Sequence, residues 1–166
     1  THLYNAMPPY SHRAPGVVGA AADSGAEAEL ICDGVHIHPA AVRTTFKMLG
    51  EDKIIFISDS MMATGLEDGD YSLGGQAVKV TGTLATLKDG TIAGSATNLM
   101  DCMRRAVLDM KIPLEKAVKC AAVNPAKSVG IYDQYGSITA GKIANLVLLR
   151  KSDLSLYKVV LKGQVL

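Results

Sequence analysis

Two short and almost entirely apolar runs lie in the first third of the chain, at residues 29–32 (ELIC) and 54–57 (IIFI). Runs of this length without polar alternation are typical of strands that are buried on both faces, as in a parallel sheet covered by helices. Between them, Pro39 is placed to begin a helix and Gly50 to end it. The order strand, helix, strand predicts a βαβ unit and an α/β fold.

The pattern changes after residue 68, where apolar and polar residues alternate in short segments. Gly74, Gly75, Gly82 and an Asp89-Gly90 turn separate these segments, which predicts a β-hairpin insertion over residues 68–95. Further helices are predicted at residues 16–24, 98–109, 114–123 and 125–129. The β-rich tail, residues 143–149 and 157–166, is predicted to belong to a different sheet.

The number of parallel strands bears on the architecture. Two clear strands, with the end of another at Thr1, are too few to close an eight-stranded barrel of about 250 residues. The pattern therefore leaves an open sheet, or the later part of a barrel, as alternatives. An open sheet would need to cover both apolar runs with very few helices, which favours the second alternative.

Composition narrows the functional classes. The chain has 166 residues, 48% hydrophobic and 20% charged, which is typical of a soluble globular protein. A formal net charge of +1 gives no reason to expect nucleic acid or an anionic membrane as a partner. Cys32, Cys102 and Cys120 lack C-x-x-C spacing, and we expect them to be reduced core residues of a cytoplasmic protein. No apolar run approaches the roughly 18 residues of a membrane-spanning helix.

The candidate catalytic and metal-binding residues lie where strands are predicted to end. His2 lies at the end of the strand predicted at Thr1, His36 follows the first apolar run, and Asp59 follows the second. If these strands are neighbours in one sheet, the three side chains converge on one rim, as a metal or acid–base site requires. The alternatives are ordinary surface or core positions for the histidines, and a helix-cap or turn carboxylate for Asp59. His12 and His38 are expected to be loop residues.

A second group of residues suits an anionic ligand. Asn5 and Ala6 offer backbone and amide donors, and the planar guanidinium of Arg13 suits phosphate, although a solvated surface arginine is the plain alternative. The IAGS run at residues 92–95 precedes a predicted helix and lets the backbone approach a ligand. A helix start alone explains Ser95 about as well.

Several motifs in combination resemble one family. They are THLYNAM at residues 1–7, DGVH at 33–36, SDSMMATG at 58–65, IAGS at 92–95 and GSITAGKIANLVLL at 136–149. In this order they resemble the N-acetylglucosamine-6-phosphate deacetylases of the amidohydrolase superfamily. The last motif is common to many amidohydrolases, whereas the first three point to this deacetylase in particular.

The resemblance implies a fold and a reaction. The fold is the C-terminal part of a (β/α)8 TIM barrel at residues 1–140, with the hairpin insertion, and then the C-terminal strands of a small β-sandwich at residues 141–166. The reaction is metal-dependent hydrolysis of the acetamide of N-acetylglucosamine 6-phosphate to glucosamine 6-phosphate and acetate, in amino-sugar catabolism. Asp59 matches the catalytic aspartate, which takes a proton from metal-bound water and gives one to the leaving amine.

The same resemblance implies substrate contacts and a partner subunit. Asn5 and Ala6 match the phosphate-contacting pair, Arg13 matches an arginine that reaches substrate across a homodimer interface, and His36 matches a substrate-contacting histidine. The other positions implied in substrate binding are Asp33, Gly34, Val35, Ile92, Ala93 and Gly94.

The implied cofactor is a divalent metal, with zinc first and iron, cobalt or manganese as alternatives. Catalytic zinc usually has three protein ligands, and only His2 matches a metal ligand of the family. We therefore expect the other ligands upstream of residue 1, and an incomplete fragment that is inactive by itself. Two other functions stay open: an amidohydrolase for a different amide, which independence from phosphate would favour, and a non-catalytic sugar-phosphate-binding or dimerisation fragment, which binding without turnover would favour.

Overall fold

Three separate sheets, with helices packed around the first of them, organise the chain, and the computed structural model describes every residue from Thr1 to Leu166. The helices are α1 (Gly16–Ser24), α2 (Pro39–Leu49), α3 (Leu99–Leu108), α4 (Leu114–Val118) and α5 (Asn124–Ser128). The strands are β1 (Ala28–Ile31), β2 (Ile54–Ile57), β3 (Gly69–Leu73), β4 (Gln76–Thr81), β5 (Leu84–Thr86), β6 (Ile92–Ser95), β7 (Leu146–Leu149), β8 (Leu156–Leu161) and β9 (Gln164–Val165). None of these helices has the length and hydrophobicity that a membrane-spanning segment needs.

The predicted βαβ unit is confirmed. Strands β1 and β2 pair in parallel, from Ala28 opposite Ile54 to Ile31 opposite Ile57, and α2 makes the crossover between them. Leu30 and Phe56 are almost completely buried, as expected for strands that are covered on both faces. Phe46 of α2 packs edge-to-face against Phe56, with ring centroids 6.0 Å apart.

The helical segment after α3 is more continuous than the sequence predicts. We expected a helix that stops before Pro125 and a separate short one after it, but α4 runs through a π-helical turn (Lys119–Val123) directly into α5. Pro125 cannot donate a backbone hydrogen bond and its ring crowds the preceding turn, and the wider π-helical turn lies at that place.

A buried amide attaches this helical segment to the parallel sheet. Asn124 donates hydrogen bonds from its side chain to the carbonyl oxygens of Glu51 and Ile54, at 2.6 and 2.7 Å. Lys116 pairs with Glu51 at 3.1 Å, and Lys119 pairs with Asp52. The start of β2 is thereby held against the helices.

The insertion after β2 is larger than a hairpin. Strands β3, β4, β5 and β6 form a four-stranded antiparallel sheet in sequence order. The IAGS run, which we expected to close the hairpin insertion and to precede a helix, is strand β6 itself. Met61, Val78, Val80 and Ala85 form a small core of their own beneath it. The helix that follows has Asn98 as its N-cap, whose side chain accepts from the N–H of Asp101.

The tail forms the predicted different sheet, in which β7, β8 and β9 are antiparallel neighbours. Val147, Leu156 and Tyr157 are exposed on it. The division of the chain at residue 140 stays a prediction.

Candidate functional site

The βαβ unit brings two of the candidate residues to one end of the parallel sheet. Because Ile31 and Ile57 are partners at the ends of β1 and β2, the segments that follow them start at the same rim. His36 lies in the first segment and Asp59 in the second. The two segments thus begin at one rim, whereas the convergence of the two side chains stays a prediction.

Asp33 and His36 form a buried pair just beyond β1. The Asp33 side chain is fully buried and that of His36 is only 4% exposed. Oδ1 of Asp33 accepts from the backbone N–H groups of Val35 and His36, both at 2.9 Å, and Oδ2 lies 2.7 Å from Nδ1 of His36. Gly34, with a φ of 77°, permits the tight turn that brings these groups together.

The charge on Asp33 follows from these contacts. Burial by itself would raise the pKa of the Asp33 carboxyl, but the hydrogen bonds from the His36 ring and from the two backbone N–H groups outweigh it, so the pKa lies below its ordinary value. Asp33 is therefore an ionised carboxylate at neutral pH, with its charge compensated by three donors. Since its side chain does not reach solvent, any part it has in substrate binding is indirect.

Asp59 presents an exposed carboxylate on a constrained backbone. Its φ of 52° lies in the left-handed region, which is unusual for a residue other than glycine. The Ser95 N–H donates to the Asp59 carbonyl oxygen and the Met61 N–H donates to the Ser95 carbonyl oxygen, both at 2.8 Å. The side chain of Ser60 donates to the carbonyl oxygen of Thr97 at 2.6 Å. Ser95, which the sequence explained about equally well as a helix start or as part of a ligand-approaching segment, attaches β6 to the Asp59 loop.

His2 lies beside β1 in a turn-rich segment. The neighbouring Leu3 N–H donates to the carbonyl oxygen of Glu29 at 2.8 Å, which places the first residues alongside the parallel strands. Nδ1 of His2 is buried and has no hydrogen-bond partner. A buried, unpartnered imidazole nitrogen suits a metal ion or a bound ligand better than an apolar environment.

The candidate anion-binding residues follow His2. The side-chain amide of Asn5 donates weakly to the carbonyl oxygens of His2 and Leu3, both at 3.3 Å, and Ala6 is exposed with a φ of 54°. Arg13 lies on an exposed loop, where its Nε donates to Nε2 of His12 at 3.2 Å. The structure therefore leaves the Arg13 guanidinium without an acidic partner.

The segment that ends β6 lies against Asp59. Ile92 is exposed and Ala93 half-buried. Gly94 has a φ of 69°, and a Cβ at this position would lie 3.4 Å from the Asp59 carbonyl oxygen. The backbone at Gly94 therefore packs closely against the Asp59 loop.

A complete metal centre is not formed within the chain. No group of three or more histidine, cysteine, aspartate or glutamate side chains lies close enough together to hold a metal ion. Within the chain, Nδ1 of His36 is paired with Asp33 and Asp59 is exposed, so the convergence of these two side chains with His2 stays a prediction.

Comparison with known proteins shows the family. A profile of the Amidohydrolase family matches residues 1–166. The chain belongs to the amidohydrolase family. It is 43% identical, over 99% of its length, to the N-acetylglucosamine-6-phosphate deacetylase of Bacillus subtilis (strain 168), of which it covers 42%. The chain thus spans about two-fifths of the length of this relative.

Two further comparisons cover nearly all of this amidohydrolase chain. The crystal structure of N-acetylglucosamine-6-phosphate deacetylase from Pasteurella multocida superposes with a TM-score of 0.93 at 33% identity, over 99% of this chain and 43% of that one. The putative N-acetylgalactosamine-6-phosphate deacetylase of Escherichia coli (strain K12) is 35% identical over 99% of this chain and 98% of its own length. The resemblance seen in the motifs is confirmed, and the mixed α/β fold is that of the Pasteurella multocida deacetylase structure.

Proposed function

We propose that this chain contributes the acid–base residue and most of the substrate contacts of a metal-dependent N-acetylglucosamine-6-phosphate deacetylase. The observation that carries the proposal is the common rim beyond Ile31 and Ile57, where the DGVH and SDSMMATG motifs follow neighbouring parallel strands. Amidohydrolase relatives named for this activity support the substrate class. The reaction converts the acetamide to acetate and a free 2-amino group.

The architecture proposed for the whole enzyme extends this chain. We propose that β1 and β2 are neighbouring strands of a (β/α)8 barrel spanning residues 1–140, with the four-stranded insertion at its rim, and that residues 141–166 form part of a small β-sandwich. The exposed apolar residues of β7 and β8 support the second part, because a sheet needs a partner to bury them.

His2 fits the role of one metal ligand. Its buried and unpartnered Nδ1 shows that the ring lacks a partner within the chain, and a neutral imidazole is a common zinc ligand. The chain offers no other clustered ligands, so we propose that the remaining ones come from outside it. Zinc is the first candidate and iron, cobalt or manganese the alternatives. A bound divalent ion would make hydroxide available at neutral pH and polarise the amide carbonyl.

The proposed chemistry assigns proton transfer to Asp59. Its carboxylate is exposed at the rim and so is able to take a proton and to give it to the leaving nitrogen. An amide has a poor leaving group, and protonation of the nitrogen is therefore as necessary as the nucleophile. The hydrogen bond between Ser95 and Asp59 holds the backbone from which this side chain projects.

The remaining residues are proposed to bind and orient the sugar phosphate. His36 contacts the sugar through its free ring nitrogen, and Asn5 and Ala6 contact the phosphate. The exposed Arg13 reaches the phosphate of a neighbouring subunit in a homodimer, as supported by its lack of an acidic partner. Phosphate recognition supplies binding energy that holds the acetamide in place for attack.

A second substrate has specific support. A relative of nearly the same length, from Escherichia coli, is named for N-acetylgalactosamine 6-phosphate, which differs from the first substrate only in the orientation of one hydroxyl group. The reaction and the roles of Asp59 and His2 are the same for both sugars. We therefore treat the two sugar phosphates as competing substrates of one site.

The test is a graft, in which this chain replaces its matched segment in the Bacillus subtilis relative. Amine release from both sugar phosphates and from unphosphorylated N-acetylglucosamine is measured with added zinc, for the graft and for the chain alone. We expect the graft to act on one phosphorylated sugar. Asp59→Asn should abolish turnover and leave sugar-phosphate binding in place, whereas Asp133→Asn, at an exposed aspartate away from the site, should keep activity.

Three outcomes would contradict the proposal. Equal activity on unphosphorylated sugar would favour an amidohydrolase for a different amide. Loss of both turnover and binding in Asp59→Asn would count against its role. Sugar-phosphate binding by a folded graft without any turnover would favour a non-catalytic binding or dimerisation function.

A further inference from the structure

We propose that Asp33 is a positioning residue, which holds the His36 ring with its proton on Nδ1 and leaves Nε2 as the ring atom that meets the substrate. The inference rests on the proposed function for the role of Nε2, whereas the tautomer itself follows from the geometry. It assigns the first residue of the DGVH motif an indirect part in the reaction.

The geometry determines which nitrogen carries the proton. A carboxylate has acceptors only, and Oδ2 of Asp33 lies 2.7 Å from Nδ1 of His36. Nδ1 must therefore be the donor, which leaves Nε2 of the neutral ring with a free lone pair. Nε2 makes no hydrogen bond within the chain, yet it is absent from the buried unpartnered atoms and so retains contact with solvent.

The turn alone does not require this arrangement. Oδ1 of Asp33 already accepts from the N–H groups of Val35 and His36, which would be enough for a turn after a strand. Oδ2 makes a separate contact to the ring of His36, whose side chain is only 4% exposed. The second oxygen therefore orients the histidine, as the aspartate of a serine-protease triad orients its histidine.

Asp33→Asn distinguishes the hydrogen bonds that Asp33 makes to the turn from the one that it makes to the His36 ring. The amide oxygen is able to keep the two backbone hydrogen bonds, but the NH₂ group that replaces Oδ2 is a donor and cannot accept from Nδ1. The ring is expected to change tautomer, so that Nδ1 accepts and Nε2 carries the proton. The turn and its burial should be preserved, while the atom that faces the substrate changes from acceptor to donor.

His38 provides an internal reference. Its Nδ1 accepts from the N–H of Ala40 at 3.2 Å, which corresponds to the opposite tautomer, with the proton on Nε2. Long-range nitrogen–proton NMR spectra of the histidine-labelled chain at alkaline pH should show His36 and His38 with opposite tautomers. In Asp33→Asn, His36 should move to the pattern of His38, which itself should not change.

Activity of the graft supplies the functional readout. Asp33→Asn should lower kcat/KM by about 10- to 100-fold, by analogy with the loss found when the hydrogen-bond partner of a metal-ligating histidine is removed. A matched control is Asp101→Asn, which removes the exposed aspartate that pairs with Arg104 and should leave kcat/KM near the unsubstituted value.

The outcomes distinguish the inference from the proposed function. The inference would be overturned if NMR placed the His36 proton on Nε2 in the unsubstituted chain. This measurement does not depend on whether Asp33→Asn folds. A tautomer change without a change in kcat/KM would overturn the role of Nε2. An inactive unsubstituted graft would count against the proposed function, and the tautomer measurement would still support or overturn the geometry.

Discussion

The N–H of Ser95 donates a hydrogen bond to the carbonyl oxygen of Asp59 at 2.8 Å, which attaches the last strand of the inserted sheet to the loop that carries the proposed acid–base residue. In the opposite direction, the Met61 N–H donates a hydrogen bond to the Ser95 carbonyl oxygen, also at 2.8 Å. Together they hold Asp59 at a φ of 52°, in the left-handed region that aspartate enters more often than most residues other than glycine. The insertion therefore constrains the backbone of Asp59.

Substitution of Gly94 should disturb the packing of β6 against the Asp59 loop. Gly94→Ala adds a methyl group at a φ of 69°, and the new Cβ would lie 3.4 Å from the Asp59 carbonyl oxygen and 3.5 Å from Cβ of Met61. We expect a loss of about 1–2 kcal/mol in the free energy of unfolding, from the left-handed backbone conformation. Because relaxation of the backbone would move the Asp59 loop, we also expect shifted amide signals for Asp59 and Met61 and a lower kcat in the graft.

Gly90→Ala is the matched control for Gly94→Ala. Gly90 has a φ of 86°, but a Cβ there would meet no atom within 4 Å. Chemical denaturation should show a similar loss of stability for both variants, whereas the amide signals of Asp59 should shift only in Gly94→Ala. Equal effects of the two variants on the Asp59 loop would show that the contact has no special role.

Asn124 should be the most sensitive polar position of the fold. Asn124→Ala removes both donors from the carbonyl oxygens of Glu51 and Ile54, and we expect it to lower the free energy of unfolding by about 2–4 kcal/mol. Asn145→Ala removes a single exposed hydrogen bond to the Lys162 N–H and should cost less than about 1 kcal/mol. Urea denaturation measures both. A similar small loss at the two positions would mean that water replaces the Asn124 side chain without cost.

Acid should destabilise the chain through Asp33. The pKa of its carboxyl is lowered in the folded state, so the folded state binds fewer protons than the unfolded state as the pH falls. The stabilisation is fully present well above the unfolded pKa of about 3.9 and is lost as the pH falls through the lower folded pKa. The free energy of unfolding of Asp33→Asn should therefore change less steeply with pH in this range.

Other carboxyl groups take part in the acid response. The pKa values of Glu51, Asp52, Asp89 and Asp153 are also lowered, but these carboxyl groups are present in both the unsubstituted chain and Asp33→Asn. The difference between the two stability curves, measured by denaturation at a series of pH values, reports the contribution of Asp33 together with its contact to His36. Parallel curves for the unsubstituted chain and Asp33→Asn would contradict the lowered pKa.

The three cysteines should be unreactive in the folded chain. Burial raises the pKa of the Cys32 thiol well above its ordinary value and those of Cys102 and Cys120 to about 12. A thiol of pKa about 12 has about 1000-fold less thiolate at mildly alkaline pH than one of ordinary pKa, and the thiolate is the reactive form. A disulfide exchange reagent should titrate three thiols rapidly in denaturant and none rapidly without it.

A positive control for thiol reactivity is Ser152→Cys, at an exposed position of the loop between β7 and β8. It should react rapidly in the folded chain and raise the number of fast thiols by one. Fast reaction of a native cysteine under the same conditions would show that the core around Cys32 opens more readily than its burial indicates.

Much of the local structure was predictable from the sequence, because short-range periodicity determines it. The apolar runs gave β1 and β2, Pro39 and Gly50 bounded α2, and the helix at residues 16–24 has the predicted ends. The same local motifs were sufficient to indicate the family, which the comparisons confirmed. They also identified residues 33–36 and Asp59 as strand-end segments, since a parallel βαβ unit has only one such end.

The tertiary structure decided how these residues are used, because the decisive contacts join groups that no local period relates. The burial of Asp33 against the His36 ring depends on the side-chain packing behind the turn, and the bond between Ser95 and Asp59 depends on how the insertion folds back. Likewise, the π-helical turn before Pro125 arises where Asn124 meets the start of β2. Sequence patterns identified the candidate residues, whereas long-range hydrogen bonds determined which of them are held, buried or left free.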